Sequence, residues 1–509
     1  MTLPEGVNIA NPEKLFIGGR WVEPKAGGRI EVVSPHTEQV CAVVAEAGEA
    51  DMDAAVAAAR EAFDRGPWPR MAPSERAAAM RRMADILESR HPELIAAIIA
   101  QIGALAGMAH GMTPTGTRHY RTFADMGDTF EWDKVGPAPT VPGHIAHVVR
   151  EAVGVVAAIA PWNAPYATMS QKVAPALIAG CTVIVKPSPE TPLEAYIIAE
   201  AAEAAGLPPG VVNLVPSDRG AADYLVRNPG VDKISFTGST AAGKRIASVA
   251  GERIARVTLE LGGKSPAILM DDYPTEAAAK VLGRTITMHT GQICATLSRA
   301  IVPEHRYEEV ADAIANEMKQ VKVGSPLDPE TEMGPIAMKR QLERVESYVQ
   351  AGIDEGAKLV TGGRRPAHLN RGYYYEPTLF TNVSNDMKIA REEIFGPVLA
   401  LIPCRDLEHA IEIANDTSYG LNSAVLSNDG KAVYDVGRRL RAGNVGHNGL
   451  KADFDLPFGG FKQSGLGREG ANVEGLMPYI ETKTMLIEVA PVTPAEELKD
   501  AELTAEVTG

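Results

Sequence analysis

Two reactive groups mark the ends of one stretch of this chain, Leu259 to Arg299. Near its start, Leu259-Glu260-Leu261-Gly262-Gly263-Lys264-Ser265-Pro266 sets a carboxylate beside a double glycine. Near its end, Gly291-Gln292-Ile293-Cys294-Ala295-Thr296 sets a cysteine in a polar turn opened by glycine. A thiol-based acyl chemistry needs this pair: the thiolate adds to a carbonyl, and the carboxylate later takes a proton from water. Each alone has a plainer reading, because a cysteine is more often a small buried hydrophobe and a glutamate beside Gly-Gly more often a turn residue. The other cysteines take the plain reading. Cys181 sits inside Ile178-Ala179-Gly180-Cys181-Thr182-Val183-Ile184-Val185, and Cys41 and Cys404 lie in or beside apolar strand-like runs. Cys294 alone is flanked by polar and glycine residues, namely His289, Thr290, Gly291, Gln292 and Thr296.

The elements that must position this pair follow from pattern. Short strands and turns fill residues 14–50, and amphipathic patterns predict helices over 50–63, 74–90 (with Ser74 as N-cap) and about 92–108. Gly136-Pro137-Ala138-Pro139-Thr140-Val141-Pro142-Gly143 reads as a turn-rich linker, followed by a hairpin-like pair over 144–150 and 153–159. Helix and strand then alternate: helix 164–179, strand 181–185, helix 192–206, strand 211–215, helix 221–227, strand 233–236, helix 240–249. That spacing requires a parallel sheet with crossover helices. A second alternating region spans about 267–427, and the tail from about 491 is acidic and without apolar period.

Bulk composition narrows the function. With 509 residues the chain needs two or three domains. A net charge of −15 from 50 basic and 65 acidic residues, with no cationic cluster, argues against a nucleic-acid partner. The longest apolar runs, such as 153–160, are far shorter than a membrane span, and the first six residues carry no secretory pattern. Four scattered cysteines without Cys-x-x-Cys suit a reducing compartment and exclude a thiolate zinc site, so a metal-free, cytoplasmic protein is expected.

Two segments imitate phosphate loops. Phe236-Thr237-Gly238-Ser239-Thr240-Ala241-Ala242-Gly243-Lys244-Arg245 nearly spells a P-loop, and Ala267-Ile268-Leu269-Met270-Asp271-Asp272 could supply a magnesium-binding Asp, which makes an NTPase the rival from another class. Arg245 stands where the P-loop requires the hydroxyl that binds Mg²⁺. What survives is a glycine turn feeding a helix N-terminus, which suits a phosphate. Gly465-Leu466-Gly467-Arg468-Glu469-Gly470 is a literal G-x-G-x-x-G, but no apolar strand precedes it, so it reads as a glycine-rich loop near a site.

Taken in order, the motifs resemble those of the NAD(P)-dependent aldehyde dehydrogenase superfamily along nearly the whole chain. They are Pro161-Trp162-Asn163-Ala164-Pro165, Val185-Lys186-Pro187-Ser188, Phe236-Thr237-Gly238-Ser239-Thr240, Leu259 to Lys264, Gly291 to Cys294, Glu392-Glu393-Ile394-Phe395-Gly396-Pro397, and Pro457-Phe458-Gly459-Gly460-Phe461-Lys462-Gln463-Ser464-Gly465. The resemblance implies an α/β fold: a Rossmann-like parallel-sheet cofactor domain (1–137 and 151–261), an α/β catalytic domain (262–477) and a β oligomerisation arm (138–150 and 478–490), with 491–509 as an acidic tail. It also implies a homodimer or homotetramer, an aldehyde substrate, and NAD as cofactor with NADP left open.

The roles implied by the resemblance are specific. Cys294 attacks the aldehyde to give a thiohemiacetal, whose oxyanion is held by the Asn163 amide and the Cys294 N–H; loss of hydride leaves a thioester, which water activated by Glu260 releases as the acid. Lys172 is a supporting residue and Glu469 a proton-relay candidate. Cofactor contacts fall to Trp162 and Lys186 on the adenosine side, Ser188, Gly238 and Ser239 near the phosphates, Gly262, Glu393 on the nicotinamide ribose, and Phe395 beside the ring. Ala164, Thr168, Gln171 and Phe458 would line the substrate tunnel. Three departures stand out: His289 where many members have Asn, Pro189 where NAD-preferring members carry Glu, and small or polar Ala164, Thr168 and Gln171 where aliphatic-aldehyde members are bulky. Within the class the alternative is a CoA-acylating semialdehyde dehydrogenase, which shares Cys294 and Asn163 but typically lacks the Glu260 base.

Overall fold

The computed structural model describes residues 3–25 and 27–489; the acidic tail expected at 491–509 lies outside the described residues. Two large sheets organise the chain. At the centre of the first, Arg256–Glu260, Lys233–Thr237, Val155–Ile159, Thr182–Lys186 and Val212–Leu214 lie side by side, all parallel. Chain order runs outward from Val155–Ile159 in one direction and from its neighbour Lys233–Thr237 in the other. The reversal therefore falls between these two strands, and a crevice opens at their carboxyl ends. Leu15–Ile17 and Arg20–Val22 extend one edge, and the two residues Gly465–Leu466 close the other, with Gly465 opposite Glu260.

In the second sheet the order is Lys358–Thr361, Thr378–Thr381, Val398–Cys404, Leu297–Pro303, Ser265–Leu269, Asn422–Leu426, Asn444–His447, parallel except at the Lys358–Thr361 edge. Both faces of each sheet are covered by helices. Pro73–Ser89, Pro165–Ala179 and Leu193–Ala204 bury one face of the first sheet, and Glu49–Asp64, Arg219–Arg227 and Thr240–Glu252 bury the other. Each fully buried Val, Ile or Leu contributes about 1.5–3 kcal/mol of transfer free energy, so these strands read as near-continuous apolar runs. No helix among the described residues is long and apolar enough to cross a membrane.

Several local expectations need correction. His144–Ala152 does not pair with Val155–Ile159; it lies between Asp133–Pro137 and Ile480–Glu488 in a separate antiparallel sheet. The reason is burial. Val155–Ile159 is apolar on both faces and fits a central strand, whereas His144–Ala152 is exposed at Glu151 and partly exposed at the rest. Gly154, at φ +132, makes the break between them, and a side chain there would overlap the Asp232 carboxylate. The arm thus starts at Asp133, not at 138, and runs on to Ala152. Ser74 is not the N-cap: the helix begins with Pro73 at its first position, and Glu75 accepts from the Ala72 N–H at 2.8 Å. The helix expected to reach 108 stops at Ile102, because Gly103 is left-handed (φ +65) and a Cβ there would overlap Pro335. The chain then starts a longer helix, Ala106–Thr129, that the sequence reading did not assign.

Candidate active site

The site forms where the carboxyl ends of the first sheet meet the amino ends of the second. Glu260 ends strand Arg256–Glu260, and five residues later Ser265 begins a strand of the other sheet. Gly262 and Gly263 make that crossing, and the double glycine has a steric cause. A Cβ on Gly262 would overlap the Glu393 carboxylate, and one on Gly263 would overlap the Cys294 carbonyl oxygen. Gly263 also donates its N–H to Glu393 Oε1 at 3.0 Å. The crossing thereby touches the nucleophile loop on one side and the Glu392–Pro397 motif on the other.

Cys294 lies between helix Thr275–Thr287 and strand Leu297–Pro303. Three successive residues before it are left-handed: His289 (φ +50), Thr290 (φ +56) and Gly291 (φ +71). Such a run is costly for residues with side chains, and it is braced accordingly. Gln292 donates to His289 O and accepts from Ala337 N, at 3.0 and 2.9 Å, and Thr290 Oγ1 donates to Gly334 O at 3.0 Å. Gly291 packs on the Gly396 backbone so closely that any Cβ would overlap it. His289 Nε2 meets Asn163 O at 3.0 Å, and burial pushes its pKa down to about 4, so the ring is neutral and serves as a brace. Asn163 Nδ2 donates to Gln292 O at 2.9 Å, which leaves its second N–H available.

Electrostatics distinguish the acid groups. Glu260 is 4% exposed, neither of its oxygens has a hydrogen-bond partner, and burial followed by the Glu469 carboxylate pushes its pKa far above the usual range. Lys172 and Arg468 pull it the other way. Lys172 is fully buried, ion-paired to Glu469 at 2.6 Å and bonded to Thr237 Oγ1 at 2.7 Å. Burial, then Glu393 and Glu260, pushes the half-buried Cys294 thiol up to about 12, while the N–H groups of Ala295 and Cys294 favour the thiolate. Glu393 is itself pushed up to about 7 by burial, against the Gly263 N–H, Arg344 and Lys264.

The expected cofactor residues cluster at the crevice. Trp162 and Asn163 follow strand Val155–Ile159, Lys186 ends Thr182–Lys186, and Gly238 and Ser239 follow Lys233–Thr237. Ser239 caps helix Thr240–Glu252 by accepting from Ala242 N. Trp162 and Phe395, which the resemblance spread along a dinucleotide, meet edge to face at 5.2 Å between ring centroids. Phe395 holds φ +62, and Gln341 Nε2 secures the carbonyls of Ile394 and Phe395 at 2.9 and 2.8 Å. Ser188 turns its hydroxyl to Glu190, which also pairs with Arg340. The Glu190 charge favours the Lys186 ammonium, whose pKa burial holds down at about 8.

Around Cys294 the structure gathers Ile293, Leu450, Phe454, Phe458 and Leu421 into one apolar cluster. Of these the sequence motifs had pointed to Phe458 alone, and Leu450 and Phe454 come from the loop 446–458. Ala164 is the N-cap of helix Pro165–Ala179, Thr168 lies one turn on, and Gln171 is 8% exposed with its amide nitrogen unpartnered. An ion pair at 3.3 Å between Arg118 and Asp455 ties the 446–458 loop to helix Ala106–Thr129. Gln292, Gln341 and Thr237 were missed as supports. Gln292 carried a signal, standing two residues from the cysteine; Gln341 carried none. The NTPase reading fails on topology: strand Ser265–Leu269 belongs to the other sheet, Asp272 accepts from Ser427 and Asn428, and Arg245 pairs with Asp223. Among the described residues no group of three or more His, Cys, Asp or Glu could hold a metal ion.

Comparison with known proteins agrees with this geometry. A family model described as the aldehyde dehydrogenase family matches residues 21–485. Geranial dehydrogenase of Castellaniella defragrans is 43% identical over 90% of this chain and 95% of its own. A 3-succinoylsemialdehyde-pyridine dehydrogenase of a Pseudomonas species is 40% identical over 93% and 98%. Among solved structures, a Mycobacterium tuberculosis aldehyde dehydrogenase complexed with NAD⁺ superposes with a TM-score of 0.91, at 40% identity over 95% of this chain and 100% of that one. A mutant of aldehyde dehydrogenase C from Pseudomonas syringae, complexed with NAD⁺ and octanal, gives 0.90 at 40% identity, over 96% and 99%.

Proposed function

The chain belongs to the aldehyde dehydrogenase family, and on that premise we propose that Cys294, Asn163 and Glu260 carry its chemistry and that its aldehyde is larger than acetaldehyde. The protein oxidises an aldehyde to the carboxylic acid with NAD as cofactor. Its residues fit that cofactor: a buried lysine, a helix N-terminus and a glycine whose missing Cβ leaves room for the Glu393 carboxylate all face the crevice at the strand reversal. Lys186 and Ser239 would hold its adenosine and pyrophosphate parts; Glu393, Phe395 and the touching Trp162 would hold the nicotinamide end. Ser188 would act there through Glu190, and Gly262 by yielding space. When bound, the cofactor accepts hydride from the carbon carried on sulfur.

The protein's own groups do the rest. Sγ of Cys294 adds to the aldehyde carbon, and the free N–H of Asn163 with the Cys294 N–H stabilises the oxygen as charge develops. After oxidation the thioester stands near a buried carboxyl group that nothing else engages. Glu260 takes the proton from water, and the hydroxide released at the thioester carbon frees the acid and the thiolate. Lys172 fixes Glu469, which receives the proton from Glu260. That both Glu260 oxygens are buried and unpartnered is the observation that carries this reading, because an idle buried carboxylate is expensive unless it is used. It also favours hydrolysis over acyl transfer to CoA.

The substrate reading rests on two features: small or polar Ala164, Thr168 and Gln171 at the start of helix Pro165–Ala179, and the apolar cluster of Phe454 and Phe458 around Cys294. The geranial in one relative's name and the octanal complexed with another are of that size. We assign residues 3–132 and 153–261 to cofactor binding and 262–477 to catalysis, and the three-stranded arm to assembly as a homodimer or homotetramer. The test is NADH formation from acetaldehyde, benzaldehyde, octanal and a terpenoid aldehyde, with and without CoA. Cys294→Ala should abolish turnover while cofactor binding persists; activity within about tenfold of wild type would refute the nucleophile.

A further inference from the structure

Two buried polar atoms near the nucleophile have no partner, and they face one cavity. Asn422, 1% exposed, opens strand Asn422–Leu426 and donates Nδ2 to the carbonyl of Ala295, the residue after Cys294, at 3.0 Å; its Oδ1 has no partner. Lys264, also 1% exposed, follows the double-glycine crossing, and its Nζ has none either. Both line a cavity of about 10 Å³, walled otherwise by residues such as Asn415, Tyr419 and Arg441. One orphan is a pure donor and the other a pure acceptor. Leaving both unmet is costly, and the usual remedy is an ordered water with two or more polar partners, which needs roughly 10–15 Å³.

We propose that a single water molecule bound between Lys264 Nζ and Asn422 Oδ1 locks the Asn422 amide, making Asn422 the positioning residue that holds the peptide behind Cys294. The amide is nearly symmetric in shape, so packing alone does not choose its orientation. A flipped amide would set Oδ1 against the Ala295 carbonyl, two acceptors face to face. Lys264 has no acceptor, so a water donating to Oδ1 and accepting from Nζ selects the orientation in which Nδ2 faces Ala295. The loop is then gripped from two sides: Gly263 packs on the Cys294 carbonyl, and Asn422 binds the Ala295 carbonyl. The Ala295 N–H, which favours the thiolate, belongs to the Cys294–Ala295 peptide that these two contacts fix at its carbonyl and at the next one, and the Cys294 N–H adjoins it. The charged groups that act on Lys264 are Arg299, Glu393, Glu392 and Arg344; burial and then Arg299 lower its pKa, and a water in the cavity solvates the ammonium form, which only donates.

This inference rests on Cys294 being the nucleophile. Three measurements on the full-length enzyme test it. In Asn422→Ala the rate of alkylation of Cys294 by iodoacetamide, without cofactor, should fall with its pH midpoint displaced upward. The NADH burst should slow about 10–100-fold, the scale of a misplaced reacting group, with the aldehyde KM within about twofold. Lys264→Met should act in the same direction. The double variant should be no worse than Asn422→Ala, since both break one chain of contacts; strictly additive losses, or an unchanged burst in Asn422→Ala, would overturn the proposal. A high-resolution crystal structure of the wild type should show one water within hydrogen-bond reach of both atoms, and direct contact of Nζ with Oδ1, or a chloride there, would overturn it too. If Cys294→Ala itself kept its activity, the functional reading would have failed, not this one alone.

Discussion

Glu260 is the residue whose setting most constrains the chemistry. Buried beside the Glu469 carboxylate, it keeps its proton well above the usual carboxylate range, and only its deprotonated form can act as base. Raised pKa and basic role together give the sign: hydrolysis of the acyl-enzyme should accelerate as pH rises through the Glu260 pKa and fade below it. Glu260→Gln should keep a pre-steady-state burst of NADH and slow the steady rate by about 10²–10⁴-fold; absence of both burst and bound acyl group would place Glu260 before hydride transfer. His289 looked like an alteration beside the nucleophile. The structure gives it a backbone explanation, for its position is left-handed (φ +50), a conformation that Asn and His adopt more readily than most residues.

At the scale of elements, the crossing from strand Arg256–Glu260 to strand Ser265–Leu269 joins the base to the nucleophile loop. Gly263→Ala would force a Cβ into the Cys294 carbonyl, whose neighbours on the other side are fixed. The loop must shift, and a displacement near 1 Å should lower kcat about 100-fold or more. Cofactor affinity, read by fluorescence quenching, should change far less; equal losses in both would mean the crossing supports the whole crevice. The turn after strand Thr182–Lys186 sets cofactor choice. Pro189 supplies no charge, yet Glu190 stands near Lys186, held by Ser188 and Arg340. Pro189→Glu should therefore depress kcat/KM with NADP more than with NAD, by about ten- to a hundred-fold. Equal effects on both cofactors would show that residue 189 does not face the ribose.

For the whole molecule the arm is the informative part. Three antiparallel strands project from the sheets they belong to in sequence, and Val135, Met485, Leu486 and Ile487 are 39–52% exposed along them. Contiguous exposed apolar side chains on such a sheet are what the proposed assembly would cover with another chain. Replacing Leu486 and Ile487 by Asp should convert the assembled enzyme to a smaller species in sedimentation velocity, with the far-ultraviolet spectrum retained. An unchanged sedimentation coefficient would place the subunit contact elsewhere.

Local chemistry and periodicity were enough to determine much of this protein. The glycine motifs, the polar setting of Cys294 and the alternation of apolar strands with helices are written in neighbouring residues, so the α/β architecture and the candidate nucleophile and base were legible in order along the chain. What the linear pattern could not carry were pairings between distant segments. Whether His144–Ala152 folds back on Val155–Ile159 depends on which partner buries which face, and Ile480–Glu488 lies more than 300 residues away. The meeting of Lys172 with Glu469, of Trp162 with Phe395 and of Asn422 with the Ala295 carbonyl likewise joins residues 127 to 297 positions apart. The candidate reactive groups are legible in sequence because their chemistry is local; the tertiary structure decided their burial, orientation and support, because burial and distance exist only once the two sheets have packed.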